Sequence, residues 1–150
     1  MNIVRFKYDL EYGNNLLGFP FLEQIGYGED LDLYFCPPGA SGNECHSVNS
    51  NETLDVFGGE EFATVNFNFI LGQGVGLFNT ATGGWSGNLN TISGPEGYWL
   101  NVINVNGLTI HWEYRDKTPA NIEYIEFEKN LADGNNLISI PIDPNFQFEG

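Results

Sequence analysis

Residues 4–20 return as residues 125–141 without a gap. Phe6/Phe127, Leu10/Leu131, Gly13/Gly134, Asn14/Asn135, Asn15/Asn136, Leu16/Leu137 and Pro20/Pro141 coincide, and Val4/Ile125, Leu17/Ile138 and Phe19/Ile140 exchange one apolar residue for another. Self-similarity at a fixed spacing marks an array of modules. The division that follows is a β module over residues 1–120 and a partial second repeat over 121–150. A piece of about thirty residues cannot enclose a core of its own. It must pack on the module before it or on a neighbouring subunit. The side chains expected to be covered are Phe127, Leu131, Leu137, Ile138 and Ile140, at about 1.5–3 kcal/mol for each one fully buried.

Alternation of apolar and polar residues sets the expected secondary structure. Val4, Phe6 and Tyr8 alternate with Arg5 and Lys7, and the same two-residue period runs through residues 65–69 and 108–114. Each reads as a half-buried antiparallel strand. Asn106-Gly107 stands between the apolar run 98–103 and the strand at 108–114. That dipeptide predicts a tight hairpin with both turn residues at positive φ. Further strands are expected near 14–19, 31–35, 121–128 and 136–140, with loops over 36–61 and 79–97 and no helix. Many short strands punctuated by turn residues give an all-β class, an antiparallel sandwich or barrel-like domain, with C-terminal extra strands from the second repeat. Nineteen glycines and 15% aromatic residues fit a turn-rich β protein. Trp99, with apolar neighbours on both sides, and Trp112, on the apolar face of its strand, are assigned to the core.

Twenty acidic residues against five basic ones leave a net charge of −15, which repels phosphate backbones and anionic membrane surfaces. Nucleic-acid and membrane partners are therefore excluded. No apolar run approaches the roughly 20 residues that cross a bilayer, and no basic and apolar leader opens the sequence. A soluble protein without a secretory signal is expected.

Cys36 and Cys45 bracket a loop rich in Pro and Gly whose ends can meet. A disulfide there would add about 2–3 kcal/mol and would imply oxidising surroundings. Two other readings stay open: a metal site of Cys36, Cys45 and His46, which lacks the usual Cys-x-x-Cys spacing, and two unpaired thiols. His111 is expected to be a surface imidazole. Glu29, Asp30 and Asp32 lie together in a Gly-bounded segment and are the candidate ligands for a hard cation, calcium, although the Asp-x-Asp-x-Asp-Gly loop is missing.

No set of residues carries catalysis. Gly84-Trp85-Ser86-Gly87-Asn88 lacks the final glycine of a nucleophile elbow, and Gly72-x-Gly74 has Leu77 where a dinucleotide fingerprint needs glycine. Carboxylate pairs such as Glu60/Glu61 are expected by chance in so acidic a chain. The expectation is that the protein is not an enzyme. Trp85, set among Gly, Ser and Asn, is the candidate exposed aromatic for a ligand contact.

Four motifs follow one another: Gly13-Asn14-Asn15-Leu16-Leu17-Gly18-Phe19-Pro20, then Ile70-Leu71-Gly72-Gln73-Gly74-Val75-Gly76, then Gly84-Trp85-Ser86-Gly87-Asn88-Leu89, then Gly97-Tyr98-Trp99-Leu100-Asn101-Val102. Over residues 10–112 this order resembles a β-repeat module of the structural and fibre proteins of marine tailed phages and of secreted bacterial surface proteins. Residues 134–141 match the opening of a next unit, while the segment 28–61 with its cysteine loop departs from the pattern. The resemblance implies a virion-borne or extracellular module. The function expected is a non-enzymatic virion structural protein, a capsid decoration or fibre component. Its partners would be other copies of itself or other virion structural proteins. The alternative is a carbohydrate-binding or adhesive module of a surface protein in which Trp85 and the 36–61 loop meet surface glycans, with calcium as a candidate aid.

Overall fold

The computed structural model describes residues 2–19, 31–94, 96–116 and 123–129. Its strands are β1 (Asn2–Leu10), β2 (Gly13–Gly18), β3 (Leu31–Cys36), β4 (His46–Val48), β5 (Phe67–Gly72), β6 (Val75–Asn79), β7 (Trp85–Gly87), β8 (Gly97–Val102), β9 (Leu108–Asp116) and β10 (Glu123–Lys129). Two short helices, α1 (Thr53–Val56) and α2 (Glu60–Asn66), lie between β4 and β5. One sheet runs β10-β1-β9-β3-β4 and the other β2-β8-β5-β6-β7. All pairings within them are antiparallel except β1 with β10, which is parallel. The expected all-β, sandwich-like class is what the chain adopts.

The core lies between the sheets because each contributes every second side chain to it. Phe6, Trp112 and Phe35 stand side by side across β1, β9 and β3, and all three are buried. From the second sheet come Leu17, Phe67, Ile70, Tyr98, Leu100 and Val102. Trp112 is the hub: its ring centroid lies 5.2 Å from Tyr8, 5.3 Å from Phe19, 5.2 Å from Phe35 and 5.8 Å from Phe57, all edge to face. Its Nε1–H donates to the Val56 carbonyl at 2.7 Å, satisfying an orphan acceptor at the end of α1. The Tyr8 hydroxyl donates to the Gly18 carbonyl at 2.7 Å and ties one sheet to the other. Burial pushes the Tyr8 phenol pKa upward, so this donor keeps its proton.

Asn106-Gly107 does not make the expected hairpin. β8 pairs with β2 and β5, whereas β9 pairs with β1 and β3, so the turn carries the chain from one sheet to the other. Only Gly107 has positive φ, +78°, and its N–H donates to the Asn104 carbonyl at 2.9 Å. The Asn104 side chain also accepts from the Asn106 N–H at 2.9 Å. Nonlocal pairing of both strands with other partners overrides the dipeptide's hairpin preference. A Cβ on Gly107 would sit 2.4 Å from the Leu10 carbonyl oxygen. Gly107→Ala is therefore expected to cost at least about 1–3 kcal/mol through its backbone conformation alone, read as a lower urea midpoint.

A second crossing lies at the same end, where Glu11 and Tyr12 join β1 to β2. Gly13 takes φ +86°. The buried Asn15 side chain accepts from the Glu11 N–H at 2.9 Å and donates to the Glu11 and Gly13 carbonyls at 2.8 and 3.0 Å. Asn14 accepts from Asn101 at 2.8 Å. The Gly-Asn-Asn triplet shared by both copies is thus, in the first copy, a corner that moves the chain between layers.

The helices fall where loops and a strand start were expected. α2 begins after Gly58 and Gly59, both at positive φ, with Glu60 and Glu61 in its first turn and well placed against the helix dipole. Val65 and Asn66 belong to α2 rather than to a strand, and Val65 is exposed.

Candidate functional site

Two features stand out: the strand added at the edge of the first sheet, and a charged cluster on the outer face of that sheet. In the first, β10 runs parallel to β1 with Val4 beside Ile125, Arg5 beside Glu126, Phe6 beside Phe127, Lys7 beside Glu128 and Tyr8 beside Lys129. These are the same pairs that align the two copies of the repeat in sequence. Each residue of β10 from Ile125 to Lys129 therefore stands beside its counterpart in the first copy. Where β1 carries Arg5 and Lys7, β10 carries Glu126 and Glu128, so neighbouring register positions hold opposite charges. Of the candidate assembly residues, Phe127 lies in β10. Leu131, Leu137, Ile138 and Ile140 lie outside the described residues, as does the expected strand near 136–140.

The second feature comes from the polar positions of three adjacent strands. Arg5 of β1 is paired with Glu113 of β9, and Tyr34 and Cys36 of β3 face Glu113 and His111. The loop 37–45 turns back over this face. It is held by the Cys36–Cys45 disulfide, with a Cα–Cα distance of 4.4 Å, and by Arg115, whose Nη2–H donates to the Gly42 carbonyl at 2.9 Å. The Arg115 guanidinium also lies 3.8 Å from the Tyr34 ring centroid.

Glu113 is buried beneath that loop. Its Oε2 accepts from Arg115 Nε at 2.7 Å, and its Oε1 accepts from His111 Nε2 at 2.8 Å and from Arg5 Nη2 at 3.4 Å. Burial pushes the carboxyl pKa up, but the hydrogen bonds from His111 and Arg115 and their charges outweigh it and hold it down at about 2. His111 is thus not the surface imidazole expected, but a partner of a buried carboxylate. The cluster was legible only in part: alternating charges on β1 and β9 were visible, but the register that joins them, and the loop that covers them, were not.

The disulfide expected between Cys36 and Cys45 is present. His46 is not a third ligand beside it, for its Nε2 is bonded to Asp55 Oδ1 at 2.7 Å. Asp55 in turn accepts from the Asn49 and Ser50 N–H groups at 2.9 and 2.8 Å. Of the calcium candidates, Asp32 stands opposite Arg115 in the β3–β9 register, while Glu29 and Asp30 lie outside the described residues.

Trp85 is half-buried on β7, packs against the core and donates its Nε1–H to the Thr64 hydroxyl at 3.0 Å. Trp99 is not core: it is 39% exposed on the outer face of the second sheet. Leu16 of β2 and Leu71 of β5 are its neighbours in register. Beside that row, Asn68 donates to Asn101 at 2.7 Å and Asn101 donates to Asn14 at 2.8 Å, an amide ladder across three strands. Phe78, 47% exposed, lies on the same face with its ring centroid 6.2 Å from Phe69.

No helix among the described residues is long and apolar enough to cross a membrane. No protein-family model, curated protein or solved structure matches the chain.

Proposed function

We propose that this protein is a non-enzymatic structural component of a virus particle, a capsid-decorating or fibre subunit, that works by strand pairing between β modules. The observation that carries this reading is the parallel β1–β10 pair, formed in the register of the sequence repeat and with charges reversed between the copies. Opposite charges at neighbouring positions favour a pair, and like charges disfavour it. β1 beside another β1 would set Arg5 and Lys7 against themselves, and β10 beside β10 would do the same with Glu126 and Glu128. The edge of β1 is thus matched to a β10 strand, from its own chain or from a neighbour, and a head-to-tail exchange of that strand links subunits in series. The disulfide is compatible with the extracellular or virion location this role requires.

Deleting residues 121–150 tests the reading, with mass followed by sedimentation equilibrium over a range of concentrations. The intact chain is expected to gain mass as concentration rises, and the truncated chain to stay monomeric with a lower melting temperature. An unchanged mass and melting temperature after truncation would overturn the proposal.

One observation favours a second reading, an adhesive module that binds glycans. Exposed Trp99 beside the Asn14–Asn101–Asn68 ladder offers an aromatic face to a sugar ring and amides to its hydroxyls. This moves the contact from Trp85 to Trp99. Glycan-array binding that is lost in Trp99→Ala at unchanged melting temperature would support it, and binding retained in that variant would rule this face out.

A further inference from the structure

Cys36, Cys45, His111 and Glu113 bring one ligand atom each to a single point, all within 4.8 Å of one another. We propose that, with the disulfide reduced, these four side chains form a tetrahedral zinc site, and that oxidation to the disulfide expels the ion. The inference does not depend on the assembly reading.

Zinc–sulfur bonds of about 2.3 Å and zinc–nitrogen or zinc–oxygen bonds of about 2.0–2.2 Å set tetrahedral ligand atoms roughly 3.3–3.8 Å apart. Cys36 Sγ lies 3.4 Å from Glu113 Oε1, within that range. His111 Nε2 lies 2.8 Å from the same oxygen, so these two ligands part by a few tenths of an ångström. The two sulfurs, bonded to each other in the oxidised chain, move well apart once reduced, a movement left to the loop 37–45. In the disulfide form the sulfur carries no proton, and its approach to a buried carboxylate oxygen gains no hydrogen bond. A cation between them supplies the missing attraction once the sulfurs are thiolates.

The supporting structure also fits. Cys36 and His111 are paired residues of β3 and β9, and Glu113 lies on the same face of β9, so three ligands sit on rigid strands. Arg115 holds Glu113 Oε2 at 2.7 Å, leaving Oε1 turned toward the sulfur, the imidazole and the Arg5 guanidinium, which is 3.4 Å away, the outer-shell arrangement that orients a metal-binding carboxylate. Arg5 and Arg115 offset the negative charge of two thiolates and a carboxylate. The fourth ligand, Cys45, arrives on the loop 37–45.

The redox step balances with a low-molecular-weight disulfide as oxidant. The two zinc-bound thiolates form the Cys36–Cys45 bond, the oxidant's S–S bond breaks as it takes their two electrons, two protons from the solvent turn its halves into thiols, and Zn²⁺ leaves to water. A thiol reductant and free zinc reverse it.

The test uses the full chain, reduced, stripped of metal and kept anaerobic, then titrated with Zn²⁺ or Co²⁺ alone. One equivalent is expected to bind, with Co²⁺ giving thiolate charge-transfer absorption and tetrahedral d–d bands, while the oxidised chain binds none. His111→Ala, on the less buried ligand, should keep the β-sheet circular dichroism of the reduced protein. It should weaken zinc by more than the roughly 10- to 100-fold attributed to outer-shell partners. If reduction unfolds the chain, zinc should restore the fold. Absence of stoichiometric binding, failure of zinc to refold an unfolded reduced chain, affinity unchanged in His111→Ala, or one ion shared by two chains would each overturn the proposal.

Discussion

Trp112→Ala is expected to destabilise the protein by about 3–5 kcal/mol, a large share of the 5–15 kcal/mol typical of a whole domain. The ring touches Tyr8, Phe19, Phe35 and Phe57, contributions from both sides of the core, so no single neighbour can move in to fill the space. Its loss also leaves the Val56 carbonyl without the indole donor. Trp112→Phe separates the two effects. It keeps an aromatic ring and loses the hydrogen bond, and should cost less than the alanine variant, with about 1–3 kcal/mol from the buried carbonyl. Urea unfolding should show a lower midpoint with an unchanged slope in both variants. A midpoint for Trp112→Ala within experimental error of the parent would contradict the placement of this ring.

Glu113→Gln should be almost as damaging in the oxidised protein. The polar groups facing Glu113 are Arg5 on β1 and His111 and Arg115 on its own strand. An amide in place of the carboxylate takes from the two arginines the buried anion they share beneath the loop 37–45. A cost of about 3 kcal/mol is expected, the lower end for breaking a buried pair because both arginines keep some contact with solvent. The pH dependence has a definite sign. The folded-state carboxyl sits at about 2 against an ordinary value of 4.5, so the stabilisation it gives is complete above about 4.5 and is lost as pH falls toward 2. Melting temperatures of parent and variant should differ most near neutral pH and converge in acid. A gap that stays constant down to pH 2 would show that the carboxylate's charge is not what the cluster depends on.

Much of the architecture was legible because alternation reports burial directly. Val4, Phe6 and Tyr8, or Leu108, Ile110 and Trp112, reveal which face of a strand meets the core. The destination of a strand is another matter. Asn106-Gly107 encodes a turn, but whether that turn closes a hairpin or crosses between sheets depends on Leu10, Glu11 and the partners of β8, which lie far away in sequence. The segment around Trp99 is apolar on both faces, and only the pairing shows that Tyr98 and Leu100 enter the core while Trp99 sits outside. α2 was hidden because its N-cap is Gly59, with no side-chain cap to announce it, and because Thr64 and Val65 favour strands. The disulfide was readable from two cysteines on one short loop. The Glu113 cluster was readable only as polar positions on separate strands, since its members come from positions 5, 36, 45, 111, 113 and 115.

β1 is paired along both sides, with β9 antiparallel and β10 parallel, over most of its nine residues. Tension applied along that strand loads the ladders on both flanks in shear, so their bonds must yield together. β7, three residues long at the far edge of the other sheet, has a single partner strand and would peel away one bond at a time. The molecule therefore has a stiff direction and a weak one, and the stiff one runs through β1, the strand that the start of the second copy lies beside.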